Sequence, residues 1–129
     1  MKKIFIVLLI GLITAFNVKA QIRKTSLADT NVNAATSYVS FNSIASKVKS
    51  FQATVTKISG TVAGKVYLQG TVDGIAFINI DSLVLSDQTI NSKLFPVTST
   101  IYNSYRGQFT TTGTQSSILL LTVLRRPDE

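Results

Sequence analysis

The side chains able to do chemistry in this chain are few, and their types narrow the field at once. The sequence holds no His and no Cys. Without imidazole or thiol there is no disulfide, no His- or Cys-built zinc, haem or iron–sulfur centre, and no triad of the Ser-His-Asp kind. What remains is a set of carboxylates: Asp29, Asp73, Asp81 and Asp87, with Asp128 and Glu129 at the end of the chain. General acid and base work needs two such groups in one cleft with separated pKa values, and a glycosidase needs them about 5 to 10 Å apart. These are scattered singly, and Asp73 and Asp87 stand in turn sequences where a carboxylate ordinarily bonds nearby backbone amides. No dense Asp/Asn/Gly loop offers the oxygen ligands that calcium requires. The expectation is a chain that is not an enzyme and has neither a metal site nor a cofactor.

Cations and rings come next. Lys47, Lys49, Lys57 and Lys65 lie around a central hairpin. They make a phosphate-binding stripe if they share a face, and a guard against edge pairing if they line sheet edges. The second reading is adopted, and no nucleic acid is expected as a partner. With no Trp in the chain, the rings available to a sugar are Tyr38, Tyr67 and Tyr102, each equally able to sit half-buried with its hydroxyl in water. The candidate ligand contacts are therefore Tyr67, Tyr102 and Arg106. For Arg106 the competing role is structural, as the partner of a nearby carboxylate.

Residues 1–20 form a leader: Lys2 and Lys3, an apolar run from Ile4 to Phe16, then Val18 and Ala20 before a cut at Gln21. That is the plan of a secretory signal peptide. The run ends at Asn17 and Lys19, short of the roughly 20 residues a spanning helix needs. No membrane association is expected once it is cleaved, and the protein is expected to be secreted or periplasmic. Removing Lys2, Lys3 and Lys19 lowers the net charge from +7 to +4.

Elements that would position the candidate residues follow from short runs of β-branched and aromatic residues between turn signals. Residues 21–36 are polar and read as an arm or first edge strand, 37–126 as one β domain, and 127–129 as a tail. Ile44–Val48 has the spacing of a single helical turn. Phe51, Ala53 and Val55 alternate with Gln52, Thr54 and Thr56, the period of a half-buried strand. Gly60–Gly64 makes a turn, and the chain returns with Val66, Leu68, Gly70 and Val72 on one face and Lys65, Tyr67, Gln69 and Thr71 on the other. Asp73-Gly74 is a hairpin signal, and Pro96 belongs at an edge or strand end. Tyr105 and Phe109 share a face opposite Arg106 and Gln108. The last strand, Ser117–Leu124, is apolar on both faces. It is read as a mid-sheet strand under a second layer, with Leu119, Leu121 and Val123 as candidate assembly contacts should it instead meet another subunit.

Gly64–Ile80 (GKVYLQGTVDGIAFINI), with Asp29–Tyr38, Thr54–Val62, Tyr105-Arg106 and Gly113-Thr114, resembles the motifs of small β-sandwich proteins of tailed phages of Bacteroidetes-type hosts. Phe77 stands where those proteins often have Trp or Tyr. The resemblance implies a structural role: a virion, fibre or decoration component, or an exported phage product. Asp73, Gly74 and Phe77 followed by Tyr102, Tyr105 and Arg106 are more loosely similar to discoidin-like, galactose-binding jelly rolls, which implies a glycan as the alternative partner. The combined expectation is an all-β, antiparallel two-sheet sandwich, jelly-roll-like. It would work by protein assembly or as a homo-oligomer, in a virion or free, the alternative being a secreted carbohydrate-binding or adhesion module.

Overall fold

The computed structural model describes residues 22–41, 48–97 and 102–126. The leader and the tail lie outside the described residues, as does the helical turn expected over Ile44–Val48 except for Val48, which opens a strand. Eight strands follow in order: β1 (Arg23–Val32), β2 (Ala35–Phe41), β3 (Val48–Ser59), β4 (Gly64–Thr71), β5 (Ile78–Leu85), β6 (Ile90–Val97), β7 (Ser104–Thr111) and β8 (Ser116–Arg126). They form two antiparallel four-stranded sheets, β1-β8-β3-β6 and β2-β7-β4-β5. Apart from the β4–β5 connection, consecutive strands alternate between sheets, which is the jelly-roll order. No helix among the described residues is long and apolar enough to cross a membrane.

Strand alternation supplies the core. From the first sheet Phe51, Ala53 and Val55 of β3, Leu119, Leu121 and Val123 of β8 and Phe95 of β6 point inward; Val39, Phe41, Val66, Leu68, Tyr105 and Phe109 meet them from the second. Full burial of one such aliphatic or aromatic side chain is worth about 1.5–3 kcal/mol. Gly107 on β7 keeps the layers close, since a Cβ there would come within 2.8 Å of Leu121 Cδ2.

The two ends of the sandwich differ. One is aromatic: the Phe51 ring lies 5.9 Å from Phe41 and 4.9 Å from Tyr105, and the buried Lys49 sits 4.7 Å over the Tyr105 ring. The other is polar. Asn31 Nδ2 donates to the Phe109 carbonyl at 2.9 Å, and the fully buried Gln115 accepts from the Ala63 amide at 2.7 Å and donates to Ser117 Oγ at 2.6 Å. These bonds satisfy backbone groups where β1 turns into β2 and where the β3–β4 and β7–β8 loops meet. Along one side, Lys93 on edge strand β6 reaches Asp81 on edge strand β5 at 2.8 Å and joins the two sheets.

Pro96 lies on edge strand β6 opposite Ser50, where a missing amide is tolerated. Asp73-Gly74 is not the centre of a two-residue hairpin. β4 ends at Thr71 and β5 starts at Ile78, and the intervening loop is built on the Asp73 carboxylate, which accepts from the Ile75 and Ala76 amides at 2.8 and 2.9 Å and from Thr71 Oγ1 at 2.9 Å. Only Gly74 of the pair has positive φ, at 78°. Because the strand stops at Thr71, Val72 is exposed instead of continuing the inward row.

Candidate functional site

Three of the carboxylates, Asp73, Asp81 and Asp87, are engaged in holding the fold; among the described residues Asp29 accepts only from the adjacent Thr30 amide, and Asp128 and Glu129 lie outside the described residues. Asp87 accepts from Lys57 Nζ at 2.8 Å and from the Val62 amide at 3.0 Å, and Asp81 accepts from Lys93 Nζ and the Ser82 amide. Each is held below the usual carboxylate range, Asp73 chiefly by the Ile75 and Ala76 amides, Asp81 by Lys93 and Asp87 by Lys57. Such groups stay ionised and are poor proton donors at neutral pH. Among the described residues no three potential metal-ligating side chains cluster. The lysines do not share a face: Lys49 is buried at the aromatic end, Lys57 pairs with Asp87 at the opposite end, and Lys65 is exposed on the second sheet; Lys47 lies outside the described residues. Neither a stripe nor an edge guard describes them.

Two outward sheet faces remain. On the second sheet, register places Arg106 of β7 opposite Gln69 of β4, with Asn79 of β5 beyond. A bulge between Leu68 and Gln69 shifts the pairing with β5 past Ile80, so Asn79 turns outward beside Gln69. Arg106 Nε donates to Gln69 Oε1 at 2.7 Å, and Gln69 Nε2 donates to Asn79 Oδ1 at 2.7 Å and Gln108 Oε1 at 2.9 Å. The guanidinium carbon lies 4.4 Å from the Tyr38 ring centroid and 3.8 Å from that of Phe77. Gln69 is buried beneath this cluster while Tyr38 is half-exposed. The structural partner of Arg106 is thus an amide, not a carboxylate. Tyr67 lies on the same face, lining with Lys65, Val84 and Thr110 an open depression of ≈ 330 Å³.

Tyr102 is elsewhere. A Cβ on inward-facing Gly70 would sit 2.5 Å from its ring, and the ring meets Tyr105 edge-on at 5.8 Å. Tyr102 therefore covers the core gap that Gly70 leaves, on the opposite side of the second sheet from Arg106 and Tyr67. Phe77 and Gln69, which with Tyr38 complete the Arg106 cluster, come from a loop and from a strand distant in sequence. The D-G-x-x-F pattern pointed to Phe77; nothing local pointed to Gln69.

On the first sheet, Leu119, Leu121 and Val123 belong to the core, at 0, 0 and 2% exposure, and are closed to a partner. The outward aliphatic residues of β8 are Ile118, Leu120 and Leu124, with Thr122 between the last two, and all three are exposed, as are Ile90 and Leu94 on β6. Between these strands β3 turns out Ser50, Gln52, Thr54 and Thr56. The charged residues of this face, Lys24 and Arg126, stand at one end.

No protein-family profile matches the chain, and no curated protein is significantly similar to it. Solved structures share its fold. A protein of the Bacillus endospore appendages, described as disulfide-linked pili, superposes with a TM-score of 0.52 at 12% identity over 87% of this chain and 94% of that one. The SPBc2 prophage-derived protein YomS gives 0.53 at 9% identity over 83% and 96%. A Clostridium thermocellum xylanase structure with CBM22-1 and GH10 modules, complexed with xylohexaose, gives 0.50 at 11% identity, over 84% of this chain and 25% of that one. At these identities the likeness is one of fold.

Proposed function

We propose that the protein is an exported, non-enzymatic module that acts through protein assembly, as a virion, fibre or decoration-type component. The observation that carries this reading is the outer face of the first sheet. Its middle rows carry no charge, and its exposed aliphatic side chains form two ridges, Ile118, Leu120 and Leu124 on β8 and Ile90 and Leu94 on β6. The small polar row of β3 makes a furrow between them. Ridges two strands apart are separated by about 10 Å, wide enough to admit the β8 ridge of a second copy turned about a two-fold axis along the strands. Four strands some 27 Å long present roughly 500 Å² per copy, so a symmetric pair buries about 1,000 Å², the lower bound for a specific interface. Two molecules of net charge +7, or +4 after loss of the leader, meet with less repulsion through a face whose middle rows are uncharged and whose cations, Lys24 and Arg126, stand at one end. The pili whose subunit shares this fold, the Bacillus endospore appendages, are disulfide-linked; with no Cys, this chain would assemble through non-covalent contacts.

Sedimentation velocity on the purified protein tests this. A concentration-dependent dimer or larger species is expected, reduced to monomer by Leu94→Asp or Leu120→Asp. A monomer at every concentration would remove the assembly role.

A second reading, a carbohydrate-binding or adhesion module, is favoured by one feature: the hydrogen-bonded Arg106 cluster beside the half-exposed ring of Tyr38 on the other sheet.

A further inference from the structure

Resting on that second reading, we infer that the outer face of the second sheet binds an acidic saccharide, whose carboxylate is taken by Arg106. Three observations converge. Arg106 has its Nε committed to Gln69 and its guanidinium laid against two rings, which leaves the Nη groups as the donors it has to offer. A guanidinium so oriented matches a planar carboxylate bidentately. Among the described residues no carboxylate of the chain fills that role, the ion pairs being Lys57–Asp87 and Lys93–Asp81.

The site is also built from below. Gln69 is 6% exposed, and its amide is oriented by both Asn79 and Gln108. The network limits the ordering entropy lost on binding.

The chemistry of the surrounding face selects the ligand. Its cations are Arg106 and, about 13 Å along the strands, Lys65 beside Tyr67 and the ≈ 330 Å³ depression. The groups between them are amides and hydroxyls, suited to a hydroxyl-rich ligand, with the exposed Val84 opposite Lys65, and the half-exposed Tyr38 ring offers an apolar platform beside the guanidinium. Two cations are too few for a nucleic acid, whose binding rests on many phosphate contacts.

Isothermal titration of the purified protein with trigalacturonate, xylotriose and a tri-glutamate peptide tests the inference, with Arg106→Gln, Arg106→Lys and Lys65→Gln as variants. Trigalacturonate is expected to bind, more weakly as salt rises. Arg106→Gln should weaken it about 10- to 100-fold, the worth of charge-assisted hydrogen bonds, with Arg106→Lys between the two. Lys65→Gln, which leaves the Gln69 network untouched, should weaken it by a smaller factor and separates loss of charge from loss of fold. Equal binding of xylotriose and trigalacturonate would overturn the acidic assignment and leave the glycan reading standing. Binding of neither would remove both. Tighter binding of the peptide would transfer the site to protein carboxylates and overturn the saccharide.

Discussion

Leu120 and Leu121 are adjacent, identical in type and assigned to opposite sides of β8, so truncating each in turn isolates the effect of the face. Leu121 is fully buried, and its Cδ2 packs where Gly107 has no side chain to move into a void. Leu→Ala at buried sites costs about 2–5 kcal/mol, rising with the cavity left behind. A glycine neighbour that cannot fill the gap puts Leu121→Ala at about 3–4 kcal/mol. Leu120 keeps 42% of its surface exposed, so Leu120→Ala forfeits only part of a transfer free energy of about 2 kcal/mol, leaving a cost of about 1 kcal/mol. Urea unfolding followed by tyrosine fluorescence, with no Trp to dominate the signal, reads both changes as shifts in midpoint at unchanged slope. Equal costs in dilute protein would refute the assignment of faces. Raising the protein concentration adds a second readout: if a second copy covers Leu120, its truncation becomes more costly as the associated form is populated, whereas the Leu121 cost includes the same core loss at every concentration.

Three further outcomes follow from single contacts. Asp73, Asp81 and Asp87 have lowered pKa values in the folded state, so the stability they contribute is present above their unfolded values, near pH 4, and is lost as pH falls through the folded ones. A urea midpoint flat from pH 7 to 5 and falling below about 4 is expected, with a shallower fall in Asp87→Asn. Gln115→Leu leaves the Ala63 amide without its acceptor at the polar end and should cost about 2–3 kcal/mol, measured by the same unfolding. Gly70→Ala places a Cβ 2.5 Å from the Tyr102 ring; a loss of about 1–3 kcal/mol with an altered near-UV tyrosine signal is expected, and an unchanged spectrum would contradict the packing of that ring.

Strand alternation was readable wherever one face is apolar and the other polar. Phe51, Ala53 and Val55, and Tyr105 with Phe109, show their inward direction in the sequence itself, and the sandwich follows from such runs. β8 defeats the rule, because Ile118 and Leu120 are as apolar as Leu119 and Leu121; which parity is buried depends on where the opposite sheet lies. The Asp73-Gly74 signal marked a turn correctly, but its length is decided by the bonds of the Asp73 carboxylate to Ile75 and Ala76 and by the early end of β4. The Arg106 cluster was half visible. Arg106, Tyr38 and Tyr67 were singled out by type, but the pairing of Arg106 with Gln69 is set by the register of β7 on β4, and Asn79 reaches it through a bulge no local pattern announces. Tyr102 shows the reverse: an aromatic near a glycine in space serves the core, and that proximity is a tertiary fact.

On the proposed assembly, copies of the chain meet through the outer face of the first sheet. Because the chain has no Cys, Leu120→Cys and Ser82→Cys each introduce a unique thiol, one near the middle of that face and one on the second sheet. Treatment of each variant with a short bis-maleimide gives the most direct test. Covalent dimers are expected from Leu120→Cys and monomer from Ser82→Cys; dimers from Ser82→Cys alone, or from neither, would contradict assembly through the first sheet.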